Sequence, residues 1–86
     1  MTDHFQPDAR IDLHDRRPDA ALALLEREIA SGRYKGRILE VVHGQGRGVL
    51  REQVREWGRR SPQVKRIWEG EDYFLPGGGG VTVFFL

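Results

Sequence analysis

The sequence predicts an α/β domain in which a mainly parallel or mixed β-sheet is covered by two helices. Short β-rich segments alternate with segments whose apolar residues recur at helical spacing, glycine and proline mark the junctions, and each helix follows a strand. That alternation implies right-handed crossovers and helices packed on a sheet. At 86 residues the chain sits near the lower limit for one hydrophobic core and is too short for two.

The elements follow in order. Ile11, Asp12, Leu13 and His14 alternate apolar and polar, so Ile11 and Leu13 face one side of a short strand while Asp12 and His14 share the other. The segment Asp15-Arg16-Arg17-Pro18 turns into a helix running from Asp19 to Ile29. Pro18 suits its first turn, Asp19 suits its dipole, and Leu22, Leu25 and Ile29 form its buried stripe. Ser31-Gly32 closes that helix, and Arg37 to Val42 is nearly continuous in apolar character, as an interior strand requires. After the loop from Gly44 to Gly48, Val49 to Trp57 forms a second amphipathic helix with Leu50, Val54 and Trp57 inward, bounded by Gly58 and Pro62. Val64 to Trp68 reads as a third strand, Glu69 to Gly80 as a long loop, and Val81 to Leu86 as the last strand. Residues 1–10 form a loosely attached polar lead containing Phe5, and residues 11–86 form the single domain.

Composition narrows the function. A hydrophobic fraction of 38% with 31% charged residues describes a soluble globular chain rather than a disordered one. No stretch approaches the apolar length of a membrane span, and the polar start lacks the basic and apolar regions of a secretory leader. The absence of cysteine excludes disulfides and thiolate metal sites and fits a reducing cytoplasm. The formal net charge of +1 conceals a division. Residues 31–68 hold ten basic and three acidic residues, a surplus of +7, whereas the remainder holds four basic and ten acidic, a balance of −6. Polarity of this kind steers an anionic partner such as nucleic acid toward one face, although an arginine-rich helix is also simply a solvated one.

Three constellations carry chemistry. Asp12 and His14 lie two apart on one strand face, where the carboxylate orients the imidazole and favours its protonated form. His43 stands at the end of the second strand; parallel pairing with the first would bring it into the same crevice, although a histidine there also serves as a structural hydrogen-bonding residue. Behind it, Gly44-Gln45-Gly46-Arg47-Gly48 lets the backbone approach an anion while the next helix presents free N–H groups. Arg47 adds a bidentate phosphate contact, and Arg51, Arg55 and Arg59 continue outward as a basic row, unless Glu52 and Glu56 pair with them. The loop spacing matches neither the P-loop nor the dinucleotide fingerprint, so nucleotide hydrolysis is disfavoured. Gly77 to Gly80 allow a close approach to ligand or backbone ahead of Val81-Thr82-Val83, or act as a flexible connection. No recognised metal-site spacing is present among Asp12, His14 and His43, and no metal is assigned. Trp57 and Trp68 read as core or semi-core residues.

Taken together and in this order, Ile11-Asp12-Leu13-His14, His43-Gly44-Gln45-Gly46 and Gly77-Gly78-Gly79-Gly80-Val81-Thr82 resemble the signature of the Smr (small MutS-related) domain family. The resemblance covers about residues 10–86. It implies a two-layer α/β sandwich of βαβαββ order, like the carboxyl-terminal domain of bacterial translation initiation factor three. It also implies endonuclease chemistry, with Asp12 and His14 at the family's functional Asp-x-His and His43 to Gly46 at its loop. Three positions depart from the pattern: Ile11 replaces leucine, Asp15 stands where glycine commonly follows the histidine, and Gln45 stands where lysine is common.

The expectation is therefore an endonuclease or nickase acting on structured DNA or RNA. Asp12, His14 and His43 are its expected catalytic residues. Gly44, Gln45, Gly46, Arg47, Gly48, Arg51, Arg55, Gly78, Gly79 and Gly80 are expected to bind the nucleic acid. On RNA, His14 and His43 divide the acid and base roles around a 2′-hydroxyl attack, and the loop amides with Arg47 stabilise the phosphorane-like transition state. On DNA, an activated water and a divalent cation such as magnesium near Asp12 are needed. The alternatives are a non-cleaving nucleic-acid- or ribosome-binding module and a protein-interaction domain. Branched DNA and ribosome-associated RNA are the expected partners, with recognition of shape rather than sequence. The domain is either free-standing or part of a larger multidomain protein.

Overall fold

The computed structural model describes residues 5–86. Its elements are β1 (Ala9–Asp12), α1 (Pro18–Ala30), β2 (Ile38–Val42), α2 (Val49–Arg60), β3 (Arg66–Glu69) and β4 (Val81–Phe85), with a 3₁₀ turn at Gly78–Gly80 before β4. Residues 1–4 of the expected lead lie outside the described residues. The rest of it is engaged: the Asp8 amide donates to the Ile38 carbonyl at 2.8 Å, β1 starts at Ala9, and the Phe5 ring lies 5.7 Å from Trp68.

The mixed sheet has strand order β1-β2-β4-β3. Only β1 and β2 run parallel; β4 is antiparallel to both of its neighbours. Asp12 stands beside Val42, Val42 beside Val81, and Thr82 beside Glu69. The carboxyl ends of β1, β2 and β3 and the start of β4 thus share one edge, which collects all three segments singled out in the sequence.

One face of the sheet packs on both helices. Ile11, Leu13, Leu39, Val41, Phe84 and Leu86 meet Ala21, Leu25 and Ile29 of α1 and Val54 of α2. The other face buries Val81 and Val83 with Leu75 of the long loop, flanked by Ile38, Val42, Trp68 and Phe85. α1 begins at Pro18, preceded by Arg17 in an extended conformation, and closes at Gly32 with φ +81°.

α2 continues three residues past its expected end at Trp57, and Gly58 lies inside it. Packing supplies the reason: a Cβ at Gly58 would stand 2.7 Å from Cε1 of Phe84, so glycine here admits a core ring rather than ending the helix. Trp57 and Phe84 have ring centroids 6.0 Å apart, and the Trp57 indole N–H donates to Glu26 of α1 at 3.1 Å.

Candidate functional site

The first strand spans Ala9–Asp12 rather than the expected Ile11–His14: Ile11 within it and Leu13 just past its end enter the core, while Asp12 at its end and His14 in the turn that follows are exposed beside each other. Asp12 Oδ1 accepts the His14 backbone N–H at 3.1 Å and is also bonded to the ring Nδ1. That side-chain bond is the main reason the Asp12 carboxyl is held below its ordinary range and the His14 imidazole above its own. His14 thus binds its second proton more readily than a free imidazole, with Nδ1–H donated to Asp12 and Nε2 turned outward, 3.4 Å from the Asp15 carboxylate. Asp15 has φ +66°. The left-handed turn explains why glycine suits this position, and aspartate is among the side chains that tolerate it.

The loop after β2 bends through Gly44 (φ +77°), Gly46 (φ +41°) and Gly48 (φ +84°). The amides of His43 and Gly44 both donate to the Gly80 carbonyl at 3.0 Å, stitching this loop to the glycine run before β4. The contact is close enough that a Cβ at Gly80 would lie 3.4 Å from Cα of Gly44. Gly48 caps α2 without a side-chain hydrogen bond, and the Val49, Leu50 and Arg51 amides meet no acceptor among the described residues. Arg51 folds back over these amides: a Cβ at Gly48 would stand 2.6 Å from its Nη2, and one at Gly79 would stand 3.6 Å from its Nη1. Arg47 and Gln45 are exposed on the loop, and Gly78 and Gly79 are half-buried. A cleft of about 360 Å³ runs from His14 and Arg16 along the loop to Arg51. A neighbouring hollow of about 370 Å³ shares His14, Gly44 and Gln45 and extends past Asp12 to Gly77.

Two expected site residues turn inward instead. His43 is only 4% exposed, with Nδ1 2.8 Å from the Gly44 carbonyl and Nε2 2.8 Å from the Thr82 hydroxyl. A carbonyl only accepts, so Nδ1 carries the hydrogen. Burial chiefly lowers the affinity of this ring for a second proton, with the charges of Arg55 and Arg51 acting in the same direction. His43 is thus neutral at pH 7, accepts the Thr82 hydroxyl proton at Nε2, and fixes the Gly44 carbonyl. Both ring nitrogens are thus engaged within the fold, although His43 is among the residues lining the cleft.

Arg55 is also withdrawn, at 3% exposure, and does not belong to an outward basic row. A spacing of four residues advances about 40° around a helix, which carries the row from Arg51 at the loop to Arg55 over the sheet. Its Nε donates to Thr82 at 2.7 Å, its Nη atoms donate to Glu71 at 2.8 and 2.9 Å and to Glu69 at 3.2 Å, and Nη2 reaches the Val81 carbonyl at 3.1 Å. Bonding to Arg55 brings the Glu71 carboxyl down to about 2. Arg59 pairs with Glu69 at 2.9 Å, and Glu56 pairs with Arg59 and Arg60. The usable cations at the cleft are Arg16, Arg47 and Arg51. Thr82, Glu71 and Arg16 were not singled out from the sequence; only Thr82 lay within a recognised segment. Among the described residues, no three acidic or histidine side chains converge as a metal donor set.

The Smr domain profile matches residues 11–86. The chain belongs to the Smr domain family. This Smr domain superimposes on the crystal structure of the Smr domain of Thermus thermophilus MutS2 with a TM-score of 0.76, at 32% identity, covering 91% of this chain and 96% of that one. It is 46% identical over 46 residues to Endonuclease MutS2 of Clostridium tetani, a match that takes in 54% of this chain and 6% of the relative. It is 37% identical over 78 residues to Ribosome rescue factor SmrB of Shewanella putrefaciens, covering 83% of this chain and 44% of the relative. The chain spans less than half the length of either full-length relative.

Chemically, the Smr domain offers an exposed imidazole of raised proton affinity beside unpaired amides and guanidinium groups. Amides at a helix start and arginine together suit a phosphate. The imidazolium suits protonation of an oxygen leaving that phosphate.

Proposed function

We propose that this Smr domain is an endonuclease that binds a backbone phosphate in the cleft between His14 and Arg51 and cuts the strand there. The observation that carries the reading is the Asp12–His14 pair held next to the Gly44–Arg51 loop. In the favoured route on RNA, the 2′-oxygen attacks the adjacent phosphorus and releases its proton to water. His14 Nε2–H protonates the departing 5′-oxygen. Asp12 orients and charges the ring, while Arg51, Arg47 and the free α2 amides stabilise the charge on phosphorus. His43 positions the loop through Gly44, Gly80 lines the adjoining hollow, and Gly79, next to Gly78, lies beside Gln45 and Arg51. On DNA, the same pocket needs an activated water and a divalent cation such as magnesium near Asp12.

The similarity to Endonuclease MutS2 and Ribosome rescue factor SmrB supports nucleic acid or ribosome-associated RNA as the partner, and with it a cytoplasmic place of work. A binding module without cleavage is the second reading, favoured because, among the described residues, the other histidine, His43, is only 4% exposed.

The test compares wild type with the combined Asp12→Ala, His14→Ala variant on matched labelled RNA and DNA, with magnesium and with EDTA. Loss of cutting in the variant supports the endonuclease. EDTA-resistant cutting of RNA supports the 2′-hydroxyl route, and EDTA-sensitive nicking of DNA supports the metal route. Binding by both proteins without cutting by either replaces the endonuclease with the binding module.

A further inference from the structure

Phe74 is 86% exposed, the most exposed large hydrophobic among the described residues. It also has φ +55°, a left-handed backbone that a bulky side chain rarely adopts. Neither property comes from a loose loop. The preceding Tyr73 is stacked on Trp68, with centroids 4.3 Å apart and planes 13° from parallel, and the following Leu75 is only 4% exposed in the second core. The Leu75 amide donates to the Gly70 carbonyl at 3.0 Å and the Gly78 amide to the Leu75 carbonyl at 2.9 Å. Arg55 ties Glu71 down from the other side. The loop is anchored on both sides of a ring that it holds out in water against the conformational preference of the residue. Such outliers persist where the surroundings over-determine them, and they concentrate at binding sites.

The ring's location points to its ligand. Gly77, three residues on, lines the hollow at Asp12 and His14, and three residues reach at most ~11 Å along the chain. The backbone of Phe74 therefore lies within ~11 Å of a residue lining that hollow, which adjoins the cleft through His14, Gly44 and Gln45. Its loop carries Glu71 and the exposed Asp72, which repel a phosphate backbone but not the neutral face of a base. The cleft itself meets phosphate through amides and arginines and makes no provision for bases.

We infer that Phe74 is a stacking platform for one unpaired base of the strand whose phosphate occupies the cleft, which makes single-stranded or frayed nucleic acid the preferred ligand. The inference rests on the proposed nucleic-acid reading of the cleft. A paired base keeps both faces inside its own stack, so duplex cannot use the platform.

The experiment measures Kd by fluorescence anisotropy for labelled single-stranded RNA and for a blunt duplex of matched length, at fixed salt. The proteins are wild type, Phe74→Ala, Phe74→Tyr and Arg51→Ala, with thermal melts confirming that each is folded. Removing one aromatic–base stack weakens binding ~5- to 150-fold. Phe74→Ala is expected to lose that factor on the single strand and nothing on the duplex, with Phe74→Tyr restoring it and Arg51→Ala weakening both ligands. If Phe74→Ala binds the single strand like wild type while Arg51→Ala is weakened, the platform is overturned and the cleft reading stands. Equal weakening of Phe74→Ala on both ligands also overturns it, because the residue then supports the loop. If wild type binds neither RNA, the cleft reading falls and takes the platform with it.

Discussion

Replacing Arg55 by methionine removes the guanidinium that joins Thr82, Glu69, Glu71 and the Val81 carbonyl while keeping an apolar stem of similar length. Breaking a buried pair costs about 3–5 kcal/mol when the remaining charge stays buried. Glu71 is 42% exposed and can turn to water, so about 2–3 kcal/mol at neutral pH is the appropriate scale. Part of that loss depends on pH. A carboxyl brought from 4.5 down to about 2 in the folded state corresponds to about 3 kcal/mol before screening, and to about 1–2 kcal/mol once its exposure to solvent is discounted. Because the folded-state value is depressed, this stabilisation is complete above pH 4.5 and disappears as pH falls toward 2. Urea unfolding followed by fluorescence of Trp57 and Trp68 gives the stability of wild type and Arg55→Met between pH 2.5 and 6. The gap between the two proteins is expected to narrow by about 1–2 kcal/mol across that range on acidification, since the other carboxyls titrate in both. Glu71→Gln should abolish the same pH-dependent component with a smaller loss at neutral pH. Parallel profiles for wild type and Arg55→Met would refute the coupling.

Asp12→Asn is expected to move the His14 titration, followed by NMR of the ring protons, down toward the ordinary histidine range, because the bond to Asp12 is the largest cause of its elevation. The contribution of that pair to stability is present below the unfolded-state value of 6.5 and is lost as pH rises through the elevated folded value; an unchanged midpoint in Asp12→Asn would contradict it. Gly58→Ala should lower the thermal midpoint. Relief of helix-interior glycine gains about 1 kcal/mol, but a Cβ 2.7 Å from the Phe84 ring overpacks the core at about 1–3 kcal/mol, and a stabilised variant would show that the ring can move aside.

Local pattern carries far in this chain. Alternation anticipates the exposure of Asp12 and His14, because a buried Ile11 and Leu13 leave the other side no alternative, although β1 ends at Asp12 and His14 stands in the turn after it. The glycines at 44, 46 and 48 announce a turn into α2, and their positive φ values are the structural counterpart of that composition. What escapes is set by contacts distant in sequence. His43 looks like a site residue until Thr82, 39 positions later, accounts for its second nitrogen. Arg55 looks like one member of a surface row until the β4 backbone and two glutamates enclose it. Gly58 reads as a helix stop because the Phe84 ring that requires it lies across the core. The third strand is also displaced, starting at Arg66 rather than Val64, since its ladder with β4 sets its limits. Phe74 has no periodic signature at all; its exposure and left-handed backbone exist only in three dimensions.

Because β4 sits between β2 and β3, the element made late by a ribosome occupies the middle of the sheet. Until Gly80 to Phe85 have left the exit tunnel, β3 has no neighbour, β2 has a vacant edge, and no carbonyl gathers the His43 and Gly44 amides. A nascent chain therefore displays Asp12 and His14 long before it can build the wall opposite them. Vectorial synthesis therefore completes this edge of the sheet, and the cleft beside it, last.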